Sequence, residues 1–595
     1  MKQSIRHLLL LWSVTVGTFG AVRAASDAPT APAIPAIPDT QDAPDSSTTP
    51  TGQTGLTRLT RQTRQTGLTE TSEASGTSEA WLRIRDAELY EGWLRSENAA
   101  GLTRFRLPKC SEAALFAAKE NGDWKNWYES DDSFEFGVEA ASYYRLSERI
   151  AVHGAVGYSR FSGKHMSGSC FIDPEQTPFD LVEFSTENAG NKRLETYRVT
   201  GGVGFDLSRR IALGARFDYT TANYSKHKDL RHVNSLMEMV VSPGVKIRIG
   251  RSLTLGANYT YRRRVESLLL KIYGKTDQIY VSLLDYGAFF GKREAFGENG
   301  YTKENETKPL FDEYHGGAFQ LDWRITPRMT FFNEISVRQR KGYYGKPSPS
   351  TIVYSNHDGS DIAYRGVWNY NGGRHRHTLQ LSVDSKRIDN RENIYTVQNE
   401  EIGRSYILYL GQTEVGSRVR QSVSARYTGQ FGMMQGVPTW RGVLDGGIDR
   451  RRISATNYPD YRHQELAWWY LRTSGERNIL RGRNLCTFGM GIGYASGTGD
   501  PCRNGSYEEA GTSETLTRTL DDRLMQEYEY LTAARIDLSV NLGLSRRFGS
   551  REFNLENRVI RGFAALEYTW SKAFRTEYSG RAMRHAVQLR VGCVF

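Results

Sequence analysis

The sequence predicts an all-β protein: a transmembrane, antiparallel, up-and-down β-barrel of about 18 strands, within a range of 16 to 20. Three observations predict it. Long segments alternate apolar and polar residues with a period of two. The connections between those segments alternate between short and long. The closing stretch "HAVQLRVGCVF", residues 585–595, carries the alternation to its final phenylalanine.

Along the chain, the first element reads as an export signal. "MKQSIRH" carries Lys2 and Arg6, an apolar stretch follows from Leu8 to Val16, and Val22-Arg23-Ala24 has the small-x-Ala form of a cleavage site. Residues 1–24 are therefore expected to be a signal peptide cut after Ala24. No cysteine adjoins that cut, which argues against a lipid anchor there. Residues 25–80 are rich in Thr, Ser, Pro and Gly, as in "APTAPAIPAIPDTQDAPDSSTTPTGQTG" and the near-repeat "GLTRLTRQTRQTGLTE". Such a segment buries too little apolar surface to fold alone and is read as a disordered periplasmic tether. Residues 81–110 are more mixed and are expected to lie beneath or inside the barrel. The barrel itself is assigned to 111–595.

Within it, "TYRVTGGVGFDL" puts Tyr197, Val199, Val203, Phe205 and Leu207 on one face and Arg198, Thr200, Gly202, Gly204 and Asp206 on the other. After the turn Ser208-Arg209 the pattern restarts with Ile211, Leu213, Ala215, Phe217 and Tyr219. The same happens across Gly250-Arg251, and hairpins are expected at Ser147-Glu148, Thr326-Pro327, Gly372-Gly373 and Gly549-Ser550. The long connections are placed at 161–192, 225–234, 266–314, 341–360 and 496–527. Short periplasmic turns opposite long external loops are the signature of a membrane barrel. A soluble sandwich would not require that regular asymmetry. With 33 Tyr, 25 Phe, 11 Trp and 58 Gly, and no apolar run of helix-spanning length after the N-terminus, strands and turns are favoured over helices.

The formal charge is +11, and loss of Lys2, Arg6 and Arg23 leaves 75 minus 67, or +8. The basic residues are spread over strand-like segments rather than gathered in one patch, so no nucleic-acid partner is read. On the polar faces of the strands, Arg198, Arg216, Lys246, Arg248, Arg262, Arg418, Arg420, Arg426, Arg535 and Arg590 are candidate lumen-lining residues. A basic lumen would favour anionic solutes. The competing reading pairs many of them with acids such as Asp206, Asp218 and Asp537.

No catalytic constellation, cofactor motif or metal motif emerges. Gly489, Gly491 and Gly493 recur at period two opposite Phe488, Met490, Ile492 and Tyr494, which is one face of a strand and not a phosphate loop. His315, His357, His375 and His377 match no ligand spacing. Five cysteines show no C-x-x-C pair; Cys593 is expected to be unpaired, and a Cys486–Cys502 bridge is compatible with an oxidising compartment. Residues 266–314 hold much Leu, Tyr and Phe for an exposed loop, and either fold into the barrel mouth or pack on themselves.

At the C-terminus, Val587, Leu589, Val591, Cys593 and Phe595 form one apolar face ending on the terminal residue. This pattern resembles the signal that the outer-membrane barrel assembly machinery reads. The chain further resembles an uncharacterised Bacteroidota outer-membrane barrel family, domain of unknown function 6850. The resemblance is carried by "SENAAGL" at 96–102, the segment before "FEFGVEAASYYRL", and "KIYG…LLDYG" within 271–287. It covers about 80–595 and implies an outer-membrane location and a barrel, but no activity. The chain does not resemble TonB-dependent receptors, whose folded plugs exceed the length available before 107. The function expected is a channel or transport-associated barrel with a basic lumen. The alternatives are a non-conducting binding or assembly barrel presenting its external loops and, third, a barrel hydrolase. Expected partners are outer-membrane lipid, the assembly machinery, and a periplasmic or surface lipoprotein.

Overall fold

The alternating segments become strands that pair with their sequence neighbours until the last pairs with the first. The computed structural model describes residues 81, 83–183, 187–274, 279–298, 300–399, 405–508, 521–548 and 560–595. The expected signal peptide, the tether and the Gly549-Ser550 turn lie outside the described residues. In chain order the strands are β1 (Lys109–Gly122), β2 (Asp132–Arg145), β3 (Ile150–Met166), β4 (Asp180–Glu183), β5 (Gly190–Asp206), β6 (Ile211–Lys226) and β7 (Arg231–Ile249). They continue with β8 (Leu253–Lys271), β9 (Val281–Gly287), β10 (Phe290–Ala295), β11 (Thr307–Thr326), β12 (Met329–Ser348), β13 (Thr351–Asn371) and β14 (His375–Asn399). The last are β15 (Ser405–Met434), β16 (Val437–Asn457), β17 (Asp460–Arg481), β18 (Asn484–Ser506), β19 (Arg535–Phe548), β20 (Ile560–Ala573) and β21 (Met583–Val594). Helices α1 (Ile84–Tyr90), α2 (Gly92–Arg95) and a 3-10 turn at Ala99–Arg104 precede β1, and α3 (Asp521–Thr532) lies between β18 and β19.

All strands but β4, β9 and β10 form one antiparallel 18-stranded sheet. It closes where β21 pairs with β1, with Leu115 opposite Val591 and Ala113 opposite Cys593. Phe595 extends the seam by exchanging backbone hydrogen bonds with Ser111 at 3.0 and 3.1 Å. Closure leaves the sheet no edge, so each wall strand has a partner on both sides.

The distribution of side chains is inside-out relative to a soluble domain. Leu115, Val156, Val199, Ile335, Leu471 and Leu589 point outward and are exposed, while Ser242, Thr260, Gln320 and Thr378 on the inner face are buried. Aromatic residues flank this apolar band: Trp323, Trp368 and Trp440 towards the short turns, and Tyr197, Trp469 and Tyr494 towards the long loops. An apolar belt of this extent around a closed barrel is stable in lipid and costly in water.

Three sequence expectations need correction. Residues 341–360 are not a long loop: β12 and β13 stay paired up to Ser348 opposite Thr351, leaving a tight turn. Most of 225–234 is likewise strand, because β6 runs to Lys226 and β7 starts at Arg231. Above the apolar band both strand faces meet water, so the alternation that marks a strand fades there. The Cys486–Cys502 bridge does not form; all five cysteines are free. Those two lie 16 residues apart on the single strand β18, about 50 Å at 3.3 Å per residue, against the 4.4–6.8 Å a disulfide spans.

Candidate functional site: a half-filled lumen

Two separate fillings occupy the barrel interior. The first is the segment from Trp81 to Leu107, which enters at the short-turn end. Its path follows from a run of small and polar residues set against glycines of the wall. Asn98 is fully buried; its amide donates to the carbonyls of Val245 and Ala257 and to Gln320 Oε1 at 3.0, 3.2 and 2.9 Å, and its Oδ1 accepts from the Ala100 N–H. Ser96 donates to Glu334 at 2.5 Å, and Gln320 ties Glu334 to Asn258. Glu97 pairs with Arg338 at 2.5 Å, and the Trp93 indole donates to Asp322 at 3.1 Å. Lys246 donates to Thr103 Oγ1. A Cβ on Gly214 would lie 2.1 Å from the Ala100 nitrogen, and one on Gly244 would lie 2.2 Å from Asn98 Oδ1. The motif "SENAAGL" is thus a latch seated on the inner face of β5–β8, β11 and β12.

Because the latch sits on one side, the opposite side stays open. A cavity of about 740 Å³ lies between α1 and the inner wall, reached by Glu112, Glu139, Arg198, Arg441, Glu476, Asn541 and Arg590 among others. Seven arginines and six acids line it, so its net charge is nearly balanced and its character depends on which groups are already paired.

The second filling enters from the long-loop end and comes from three distant loops. From residues 272–306, β9 and β10 form a hairpin, and β9 also pairs with β4 from the 167–189 loop. An aromatic core holds it: Phe179, Tyr301 and Tyr344 are fully buried, with ring centroids 5.1–5.5 Å apart. Gly287 faces Ile453, Arg462 donates to the Ala288 carbonyl at 3.0 Å, and Arg451 holds Glu527 of α3 at 2.7 Å. Of the two readings of 266–314, insertion into the mouth is therefore the one seen. Asp180 and Asp285 face each other across β4 and β9, both buried, and Asp180 Oδ2 has no hydrogen-bond partner among the described residues. Burial is the main cause that raises both carboxyls, Asp180 to about 7 and Asp285 to about 6, and each is further affected by its charged neighbours.

The ten basic candidates occupy strands of the wall, and most already have partners. Arg216 pairs with Asp218 at 2.8 Å, Arg262 with Glu238 at 2.7 Å, Arg426 with Asp445 at 2.9 Å and Arg535 with Asp537 at 3.2 Å. Arg420 lies between Glu175 and Asp449, and Arg590 between Glu112 and Glu139. Arg418 donates to the Pro174 carbonyl at 2.8 Å. Arg198 and Arg248 form no ion pair among the described residues, and neither does Asp206. Gly489 and Gly491 face Asn541 and Ser539 on the inner side, with Phe488, Met490 and Ile492 exposed outside. His357 is buried against Asp312 at 2.7 Å, beside Arg340, while His315, His375 and His377 lie apart from it on the outer face. The residues that sequence reasoning missed are Trp93, Asn98, Gln320, Asp322 and Glu334. Only the motif containing Asn98 signalled any of them.

The profile of a family of unknown function, DUF6850, matches residues 99–595. No curated protein matches the sequence. Similar solved structures include BauA, the ferric preacinetobactin receptor from Acinetobacter baumannii, at 9% identity and TM-score 0.35, covering 82% of this chain and 80% of that one. Others are the outer membrane transporter YddB from Escherichia coli (7%, TM-score 0.36, 81% of each chain) and the FrpB iron transporter from Neisseria meningitidis in its apoprotein form (10%, TM-score 0.31, 84% and 83%).

Proposed function

The chain belongs to the DUF6850 family, and from that premise we propose that it is an outer-membrane channel or transport component whose route follows the unfilled side of the lumen. One observation carries the reading: a cavity of about 740 Å³, lined by charged residues, runs beside a latch that covers only part of the wall. The apolar belt supports a lipid setting. In this reading the short turns face the periplasm, the long loops face outward, and export follows the signal expected at 1–24. The Bacteroidota source implied by the resemblance belongs to the same proposal. So do the assembly machinery and a lipoprotein as partners, with Phe595 and the stripe behind it as the assembly signal.

The test is conductance of the purified protein in planar bilayers. The intact chain should conduct weakly, and removal of residues 279–298 from the insert should raise conductance severalfold. Unchanged conductance after that removal sinks the role given to the insert, and none in either form sinks the channel reading. Deleting Phe595 should lower the amount of folded barrel recovered from membranes.

A second reading has its own support. The long-loop end holds a packed aromatic core, which suits a non-conducting barrel that presents its loops to a partner. Absent conductance together with loop-dependent binding to the cell surface would favour it.

A further inference from the structure

Around Trp81, at the short-turn end of the lumen, buried hydrogen-bond donors outnumber the acceptors that meet them among the described residues. Arg547 on β19 and Arg561 on β20 are direct cross-strand partners. Their guanidinium carbons lie 5.5 and 5.8 Å from the centroid of the Trp81 ring. Arg561 is 2% exposed; its Nη1 donates to the Trp81 carbonyl at 2.5 Å, but its Nε and Nη2 have no partner among the described residues. The Arg547 Nε and the Trp81 indole N–H are also buried and have no partner among the described residues. Neither arginine forms an ion pair among the described residues. Of the nearby acids, Glu112 is engaged by Arg83 at 2.5 Å and Arg590 at 3.3 Å, and Asp86 forms no ion pair with either arginine among the described residues.

Like charges directly opposite each other in a sheet repel, and each buried donor left unpaired is costly. Such an arrangement persists when something supplies the missing acceptors. A planar guanidinium fork matches the two oxygens of a carboxylate or phosphate, and an indole N–H adds a third donor. Trp81 and Arg561 also line the open cavity, so an anion bound here has access to the lumen. We infer that Arg547, Arg561 and Trp81 form an oxyanion-binding site at the inner mouth, for a solute or headgroup bearing a phosphate or carboxylate. The inference rests on the transport reading only in that the lumen is reachable.

The probe is inorganic phosphate, titrated calorimetrically into the full chain in lipid-free detergent micelles at constant ionic strength. Phosphate should bind, and Arg547→Gln and Arg561→Gln should each weaken it by about tenfold or more. Arg452→Gln, at the long-loop end, should leave it unchanged. Heat-dependent gel mobility reports whether each variant barrel is closed. If Arg561→Gln does not fold, Arg547→Gln and Trp81→Phe carry the test. No phosphate binding by the native chain, or equal binding by Arg547→Gln, overturns the site. Equal phosphate affinity in phosphatidylglycerol and phosphatidylcholine nanodiscs assigns a soluble anion, whereas competition by phosphatidylglycerol assigns a lipid headgroup. A protein that conducts without binding phosphate loses this site and keeps the transport reading; one that binds without conducting does the reverse.

Discussion

The two fillings of the lumen are built on opposite principles. The latch is one contiguous stretch held by polar groups: Asn98 reaches β7, β8 and β11, Ser96 and Glu97 reach β12, and Trp93 reaches β11. The insert is assembled from three loops far apart in sequence and held by an aromatic core centred on Phe179, Tyr301 and Tyr344. A polar latch is directional, since each bond fixes a register and each lost partner leaves a buried group unsatisfied. An aromatic core is tolerant of small shifts but sensitive to lost volume. The same barrel therefore has one filling that is specified bond by bond and another that is specified by packing.

Substitutions can break that comparison. Trp93→Ala removes a fully buried ring that touches Phe332 and donates to Asp322, and should weaken latch docking by about 3–5 kcal/mol. Hydrogen exchange over residues 84–104 should rise while exchange over 281–295 stays fixed; a rise in both would show that the fillings are coupled. Asn98→Leu strands two carbonyls and Gln320, and should cost about 2–3 kcal/mol by the same measurement.

Acidity should separate the fillings. Asp180 and Asp285 hold protons more tightly in the packed insert than when released, so the packed form binds more protons over the interval from about pH 4 to about pH 7. Stability of the insert then falls as pH rises through that interval. Protease cleavage between 279 and 298 should be severalfold faster at pH 8 than at pH 5, and Asp180→Asn should flatten the difference. Equal rates at both pH values would remove the role given to the acid pair. The smallest effect belongs to Arg452→Gln. Its partner Glu465 is also exposed and is shared with Arg450, so thermal stability should change by less than about 0.5 kcal/mol.

Much of the wall was readable from sequence because lipid imposes a strict period of two on Val199 and Arg198, Ile247 and Lys246, or Leu589 and Arg590. The closing strand was readable for the same reason. Residues 341–360 were misread because that constraint ends where the strands leave the apolar band. The insert was only half visible. The Leu, Tyr and Phe of 266–314 announced burial, yet nothing local in "VSLLDYG" names Asp180–Glu183 as its pairing partner. The pairing of Arg216 with Asp218 was foreseeable within one strand, whereas Arg451 with Glu527 joins residues 76 apart through the fold.

The seam between β1 and β21 has a kinetic consequence. Glu112 and Arg590 touch across it although 478 residues separate them in the chain. Sequential hairpins such as β5–β6 need only local encounters, whereas this pairing must await every strand between. Until it forms, an otherwise complete sheet carries two bare edges, each a template for pairing with another molecule. The time spent as an open sheet, rather than the depth of the final energy minimum, then sets the yield of closed barrels.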